Sequence, residues 1–323
     1  MKDGSRLSRT MPSPILGLHH VTATVDDAQQ DLDFYAELLG LRLVKKTVNF
    51  DNHHVFHFYY GDECGTPGTI WTTFPYKGHG VRVGSKGAGQ IDVTSFSVPA
   101  GSLDYWRGRL ADRRIHARDE PPRFGERAIV AVDPSGLNIA LVETSRDSRA
   151  PWLGAGIDQT HAIRGLHSVT MQVHAPGPTV AFMTHALGYA VSHEDEGLIR
   201  LTIGRDEPGR TIDLVHSPTL PRAVNGLGTV HHVAMAVATA EEQLEMRSEL
   251  LDLGLHVTPV MDRQYFRSIY FREPGGVLFE VATMAPGFAI DEPVDALGRA
   301  LKLPPWEEPN RADIERGLPE IKC

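Results

Sequence analysis

The sequence predicts an α+β fold in which one βαβββ module is repeated four times, arranged as two tandem domains with mixed sheets. Three observations predict it. A short β-branched run recurs at four places, a segment with apolar residues at helical spacing follows each run, and strand-like runs follow each helix. The first copy opens with LHHVTATV at 18–25 and continues as DDAQQDLDFYAELLGL, in which Leu32, Tyr35, Leu38 and Leu39 share a helical face. The second copy is the weakest, IDVTSFSV at 91–98 followed by PAGSLDYWRGRLADR. The third is LHSVTMQV at 166–173 followed by PGPTVAFMTHALGY, and the fourth is VHHVAMAV at 230–237 followed by ATAEEQLEMRSELLDLGL. Three strands are expected after the last helix, LHVTPVMD, SIYFRE and GVLFEVAT, with the turn EPGG before the final one. The second copy ends similarly, in AIVAVDPSGLNIALVET.

Copies one and two place an N-terminal domain at 15–146, and copies three and four a C-terminal domain at 163–285. The stretch 147–162 is polar with Gly and Pro, and reads as a linker. The tail 286–323 reads as an extended turn, PPWEEP, and a short helix in RADIERGLPEI, with Trp306 packing it onto the body.

Composition narrows the function classes. With 323 residues, 41% hydrophobic and 23% charged, the chain has the make-up of an ordinary globular protein of two domains. A formal net charge of -9 and the lack of a Lys/Arg run exclude a nucleic-acid partner as the expectation. No apolar stretch approaches the ~20 residues that span a bilayer, so no membrane partner is expected. The opening MKDGSRLSRT has no apolar core and is read as a disordered extension rather than a secretory leader, with Met11 as an alternative start. Two distant cysteines, Cys64 and Cys323, do not form a disulfide framework, which points to a reducing, cytoplasmic setting.

Sixteen histidines invite a search for recurrence. The third residue of each opening strand is His20, Val93, Ser168 and His232. The residue four beyond the second glycine of the last turn is Thr72, Ala140, Asp213 and Glu280. Copies one and four therefore supply two imidazoles, one carboxylate and a threonine, while copies two and three supply a poor metal site. Two His and one carboxylate with open positions suit non-haem iron(II). An unpaired Glu in the apolar run VLFEVAT is costly unless something neutralises it. Alternation puts His20, Thr22 and Thr24 on one face and His19, Val21, Ala23 and Val25 on the more apolar other, favouring His20 over His19 as the ligand. One ion reaches His20, His232 and Glu280 only if the first module packs against the fourth, leaving the second and third as the other pair. In HHVFHF, His53 and His57 would share a strand face, but exposed histidines are common there and no second metal is expected.

These stretches resemble the vicinal oxygen chelate superfamily, which includes glyoxalases, bleomycin-resistance proteins and extradiol dioxygenases. More narrowly they resemble its ring-cleaving hydroquinone dioxygenase branch. The resemblance rests on GLHHVTATVDDAQQDLDFYAELLGLRLVKKTVNFD, FHFYYGDECGTPGTIWTTFPY, GTVHHVAMAV, DRQYFRSIYFREPGGVLFEVAT and ALKLPPWEEPNRADIERGLPEI, nearly the whole chain after Met11. It implies two glyoxalase-like domains curled around a metal held by His20, His232 and Glu280, with Fe(II) expected and Mn(II) as the alternative. It also implies supporting catalytic roles for His19, Thr22, His231, Arg263 and Tyr270, and a small aromatic substrate with O2 as partners. The catechol enzymes of the superfamily take both histidines from the third and fourth modules, and Ser168 departs from that pattern. Two rival readings remain at this stage, a glyoxalase-like isomerase or lyase, and a binding protein that sequesters an aromatic compound. A homo-oligomer is left open.

Overall fold

The computed structural model describes residues 13–322. The expected N-terminal extension, Met11 and Cys323 lie outside the described residues. The first module comprises β1 (Ile15–Val25), α1 (Ala28–Leu32), β2 (Arg42–Asn49), β3 (Asn52–Gly61) and β4 (Ile70–Pro75). The second is β5 (Gln90–Pro99), α2 (Leu103–Asp112), β6 (Arg118–Arg123), β7 (Glu126–Val132) and β8 (Asn138–Thr144). The third is β9 (Gly165–Val173), α3 (Pro176–His185), β10 (Ala190–Asp195), β11 (Leu198–Thr202) and β12 (Thr211–His216). The fourth is β13 (Thr229–Val237), α4 (Ala240–Asp252), β14 (Met261–Asp262), β15 (Arg267–Arg272) and β16 (Leu278–Thr283), and α5 (Arg311–Gly317) lies in the tail.

Two of the helices begin at side-chain caps. Thr239 and Glu242 close a reciprocal cap at the start of α4, and Asp27 accepts from the Gln30 amide at α1. α1 runs on as a π-helical turn, Asp33–Leu38, in which the Leu39 amide reaches back to the Phe34 carbonyl. That wider turn lets the adjacent rings of Phe34 and Tyr35 both be buried. In the turns DPSG and EPGG a carboxylate replaces the missing strand partner. Asp133 accepts from the Ser135 and Leu137 amides, and Glu273 from those of Gly275 and Val277.

The strands form two eight-stranded mixed sheets, in the orders β14-β15-β16-β13-β1-β4-β3-β2 and β10-β11-β12-β9-β5-β8-β7-β6. The first sheet thus joins modules one and four, as the slot comparison requires, and the second joins two and three. At each centre an antiparallel pair, β1 with β13 or β5 with β9, knits the modules together. One contiguous apolar core runs behind both sheets, from Val21, Tyr35 and Trp71 through Phe96 to Val169 and Val233.

One expectation needs correction. LHVTPVMD yields only the two-residue β14: Thr258 still exchanges hydrogen bonds with Tyr270, but Pro259 lacks an amide to continue the ladder. Trp306, although 46% exposed, meets the edge of Phe50 as expected, and Leu303 and Ile314, buried against Val48, anchor the tail as well. Among the described residues no helix is long and apolar enough to cross a membrane.

Candidate metal centre

The strand registers explain why the four slots are equivalent. On β1, β5, β9 and β13 the residue two beyond each histidine slot is Thr22, Ser95, Thr170 and Ala234. Across the parallel pairings these face Thr72, Ala140, Asp213 and Glu280. One strand further, the same four positions face Tyr59, Val130, Arg200 and Tyr270.

A β-bulge recurs in all four copies. The pairing skips His19, Asp92, His167 and His231, the residue before each histidine slot. Strict alternation, which would put His19 on the face opposite His20, therefore fails locally. The extra residue turns the strand so that neighbouring rings meet, with His19 and His20 centroids 5.0 Å apart and His231 and His232 also 5.0 Å apart. His19 Nδ1 lies 2.9 Å from His20 Nδ1, and His231 Nδ1 lies 2.7 Å from His232 Nδ1.

Beyond these pairs the inner nitrogens converge. His20 Nε2 is 3.2 Å from His232 Nε2 and 3.3 Å from Glu280 Oε2, and His232 Nε2 is 2.8 Å from Glu280 Oε2. All three side chains are buried, and Glu280 Oε1 accepts from Ser268 Oγ. With each Nδ1 bearing the proton donated to the preceding histidine, both Nε2 atoms and Oε2 present lone pairs to one point. Oε2 receives no well-directed hydrogen bond. With lone pairs so directed the cluster needs a proton or a cation between them, and its spacing matches the roughly 3.0 Å between neighbouring ligands at bonds of ~2.1 Å and right angles. The residues present thus fit a three-ligand metal site.

The electrostatics agree with that arrangement. Burial, then the neighbouring His20, lowers the His19 pKa to about 3, and burial with His232 does the same to His231. Both are therefore neutral acceptors. Burial alone would raise Glu280, but charge and hydrogen bonds from His20 and His232, which need a proton on Nε2, hold it well below the usual carboxylate range, and a cation in place of those protons would act in the same direction. Burial raises Tyr270, with the Glu280 charge adding to it, so its phenol stays protonated.

A cavity of about 260 Å³ opens beside the three residues. Thr22 lines it, as do Arg263 and Tyr270, so of the expected supporting residues only His19, behind His20, is not in its wall. Arg263 donates from Nε to the Tyr270 hydroxyl at 3.1 Å, and its Nη1 lies 3.4 Å from Asp51. Aromatic walls come from Tyr59, Phe74 and Phe266. Sequence reading missed these walls and the role of His57. His57 and His53 do not come together: His53 pairs with Glu307, while His57 hydrogen-bonds Thr72 Oγ1 inside the cavity. The available signal was register, because His57 precedes Tyr59 by two as Ser268 precedes Tyr270.

The second sheet closes the equivalent place. Arg200 grips Asp213 through Nε and Nη2, at 2.8 and 2.9 Å, and Glu126 through Nη1, at 2.6 Å. His167 keeps the position of His19 and His231 but bonds Ser168 and Glu126. A buried ion-pair network occupies the slots that hold the metal-type cluster in the other sheet.

The model of the Glyoxalase/Bleomycin resistance protein/Dioxygenase superfamily matches residues 17–141 and 165–281. The chain is 42% identical over 305 residues to MhqE of Bacillus subtilis (strain 168), named "Putative ring-cleaving dioxygenase", covering 94% of this chain and 99% of that one. It is 34% identical over 316 residues to the chlorohydroquinone/hydroquinone 1,2-dioxygenase of Sphingobium indicum, covering 95% and 97%. The crystal structure titled "putative dioxygenase" from Bacillus subtilis superposes with a TM-score of 0.91 at 39% identity, covering 97% of this chain and 99% of that one. On the matched fold, the repeated modules and these full-length relatives, the chain belongs to the Glyoxalase/Bleomycin resistance protein/Dioxygenase superfamily, with ring-cleaving dioxygenases as its relatives.

Proposed function

We propose that this chain is a non-haem Fe(II)-dependent ring-cleaving dioxygenase that acts on a hydroquinone or related aromatic diol, placing both atoms of O2 in a product opened at a ring C–C bond. The observation that carries the reading is the convergence of His20, His232 and Glu280 on one point, with Thr72 in the fourth slot already tied to His57. A glyoxalase-like site would want a fourth ligand there, and a sequestering protein needs no such cluster. The named activities of the relatives support the same reading.

His20, His232 and Glu280 would hold the iron, which when bound brings a phenolate oxygen and O2 side by side and passes electrons between them. The chain's own groups do the rest. His19 and His231 accept the ligand imidazoles' Nδ1 protons and fix both rings. The rings of Tyr59, Phe74 and Phe266 present apolar faces to an aromatic guest and limit water beside it. The protonated Tyr270 donates a hydrogen bond to the substrate oxygen, and Arg263, held against it, stabilises negative charge that develops there. The reading includes a cytoplasmic location, consistent with the unpaired Cys64.

The test is anaerobic reconstitution with Fe(II), followed by oxygen uptake against a panel of hydroquinones and catechols. One O2 consumed per ring opened is the expected result. Iron sits low in the affinity order, so zinc or nickel must be removed first. No uptake with any diol, together with thiohemiacetal isomerisation by nickel-loaded protein, would sink the reading.

A further inference from the structure

We infer that His57 is a specificity-determining residue that hydrogen-bonds the second, distal hydroxyl of a 1,4-diol, so that the cavity selects para-diols over phenols with a single hydroxyl. The inference rests on the dioxygenase reading and adds to it the end of the substrate that faces away from the metal-type cluster.

Position comes first. His57 stands on β3, and the strand order from the cluster outward is β13-β1-β4-β3. Two strand spacings separate β3 from β1, roughly 10 Å across the same curled face. Both walls line one cavity. The two oxygens of a 1,4-diol point in opposite directions across the ring. With one oxygen at His20, His232 and Glu280, the other is carried a ring's width away, toward the side of the cavity where β3 presents His57 beyond Thr72, whereas the second oxygen of a 1,2-diol stays beside the first.

Orientation comes next. The imidazole sits between two aromatic rings, its centroid 4.0 Å from that of Tyr59 and 4.2 Å from that of Phe74, at interplanar angles of 36° and 41°. Nε2 is committed to the Thr72 hydroxyl. Among the described residues the ring has no other hydrogen-bond partner, so Nδ1 remains to serve a guest. Of the other polar groups in the cavity, Asn49 donates to the Tyr76 hydroxyl at 2.7 Å and His231 is spent on His232, while Arg263 and Tyr270 serve the substrate oxygen at the cluster.

Internal symmetry supplies the third observation. His57 and Thr72 occupy in module one the places of Ser268 and Glu280 in module four, and both pairs are hydrogen-bonded across adjacent strands. The module-four pair leaves a carboxylate oxygen facing the centre. The module-one pair leaves an imidazole, too far along the sheet to join that cluster and suited to a neutral hydroxyl.

The experiment titrates the Fe(II)-loaded full-length chain under nitrogen with hydroquinone and with 4-methylphenol, by calorimetry, in the parent, His57→Leu and His57→Gln. Metal content and melting temperature check that each variant is folded. The parent should bind hydroquinone roughly tenfold more tightly than 4-methylphenol, the worth of one neutral hydrogen bond. His57→Leu should bring that ratio near one, and His57→Gln should restore part of it. The hydroquinone KM should rise by a similar factor in His57→Leu. A parent with no preference, or a ratio in His57→Leu within about twofold of the parent's, overturns the assignment. Oxygen uptake in the same preparations separates the two claims. Uptake with an unchanged ratio removes His57 and keeps the dioxygenase, while a His57-dependent ratio without uptake does the reverse.

Discussion

At His20 and His232 the outer ring nitrogen meets the histidine just before it in the chain, at 2.9 and 2.7 Å, so each HH doublet is a candidate ligand with its own support. His20→Ala, His232→Ala and Glu280→Ala should each abolish oxygen uptake and metal binding. His19→Ala and His231→Ala should act differently, weakening metal affinity roughly 10–100-fold without removing the site. Chelator competition on the purified variants measures both effects, and unchanged affinity in His19→Ala would discard its supporting role. A second residue-scale prediction concerns Asp31, which is buried and accepts from Tyr60 and Thr73 hydroxyls. Burial raises its pKa to about 8, against the opposing hydrogen bonds and with the Asp133 charge adding to the rise. The folded state therefore keeps a proton that the unfolded chain releases near its ordinary value of 3.8. Stability from this group is fully present below that value and is lost as pH climbs to about 8. Asp31→Asn should flatten the fall in melting temperature between pH 5 and pH 9, by roughly 2 °C or more. A fall as steep as the parent's would contradict the assigned shift.

Among the elements, the central strands owe their chemistry to a bulge. Without the extra residue at His19 and His231, the alternation of β1 and β13 would direct neighbouring rings to opposite faces. The bulge is kept in the second sheet, where Asp92 and His167 occupy it, so it belongs to the module and not to the metal-type cluster. What changes between sheets is the cross-strand partner: Tyr270 faces Glu280, whereas Arg200 faces Asp213. Asp213→Ala should leave metal content intact. It should nonetheless cost about 3–5 kcal/mol of stability, because Arg200 stays buried with one of its two carboxylates gone. Denaturant unfolding tests this, and metal loss from Asp213→Ala would put the centre in the wrong sheet.

At the scale of the molecule, the sheets do not follow the order of the chain. Residues 15–146 and 163–285 each contribute one strand set to both sheets, so His20 and its two partners come from opposite ends of the sequence. Each half alone would expose a central strand, β1 or β13, as an unpaired edge. Halves cut near Ala150 and expressed separately should each bind Fe(II) poorly, and mixing should restore binding if they reassociate. A C-terminal half that holds iron tightly by itself would remove His20 from the centre.

The sequence by itself determined the module, its fourfold recurrence and the candidate triad, because period-two and helical patterns are local and because equal slots in a repeat carry equal geometry. Even the pairing of module one with module four was legible, since pairing with module two would give His20 no second good ligand and only module four offers both His232 and Glu280. Tertiary structure decided what lies outside one strand's own pattern. The bulges depend on register between β1 and β13, which no single strand encodes, and so the meeting of His19 with His20 contradicted plain alternation. His57 read as an exposed histidine until β3 paired with β4 and set it against Thr72. Trp306 read as the tail's anchor and does meet Phe50, but the buried part of the tail's contact is Leu303 and Ile314 against Val48. In each case the deciding contact joins residues distant in sequence, where composition and spacing carry no information and packing does.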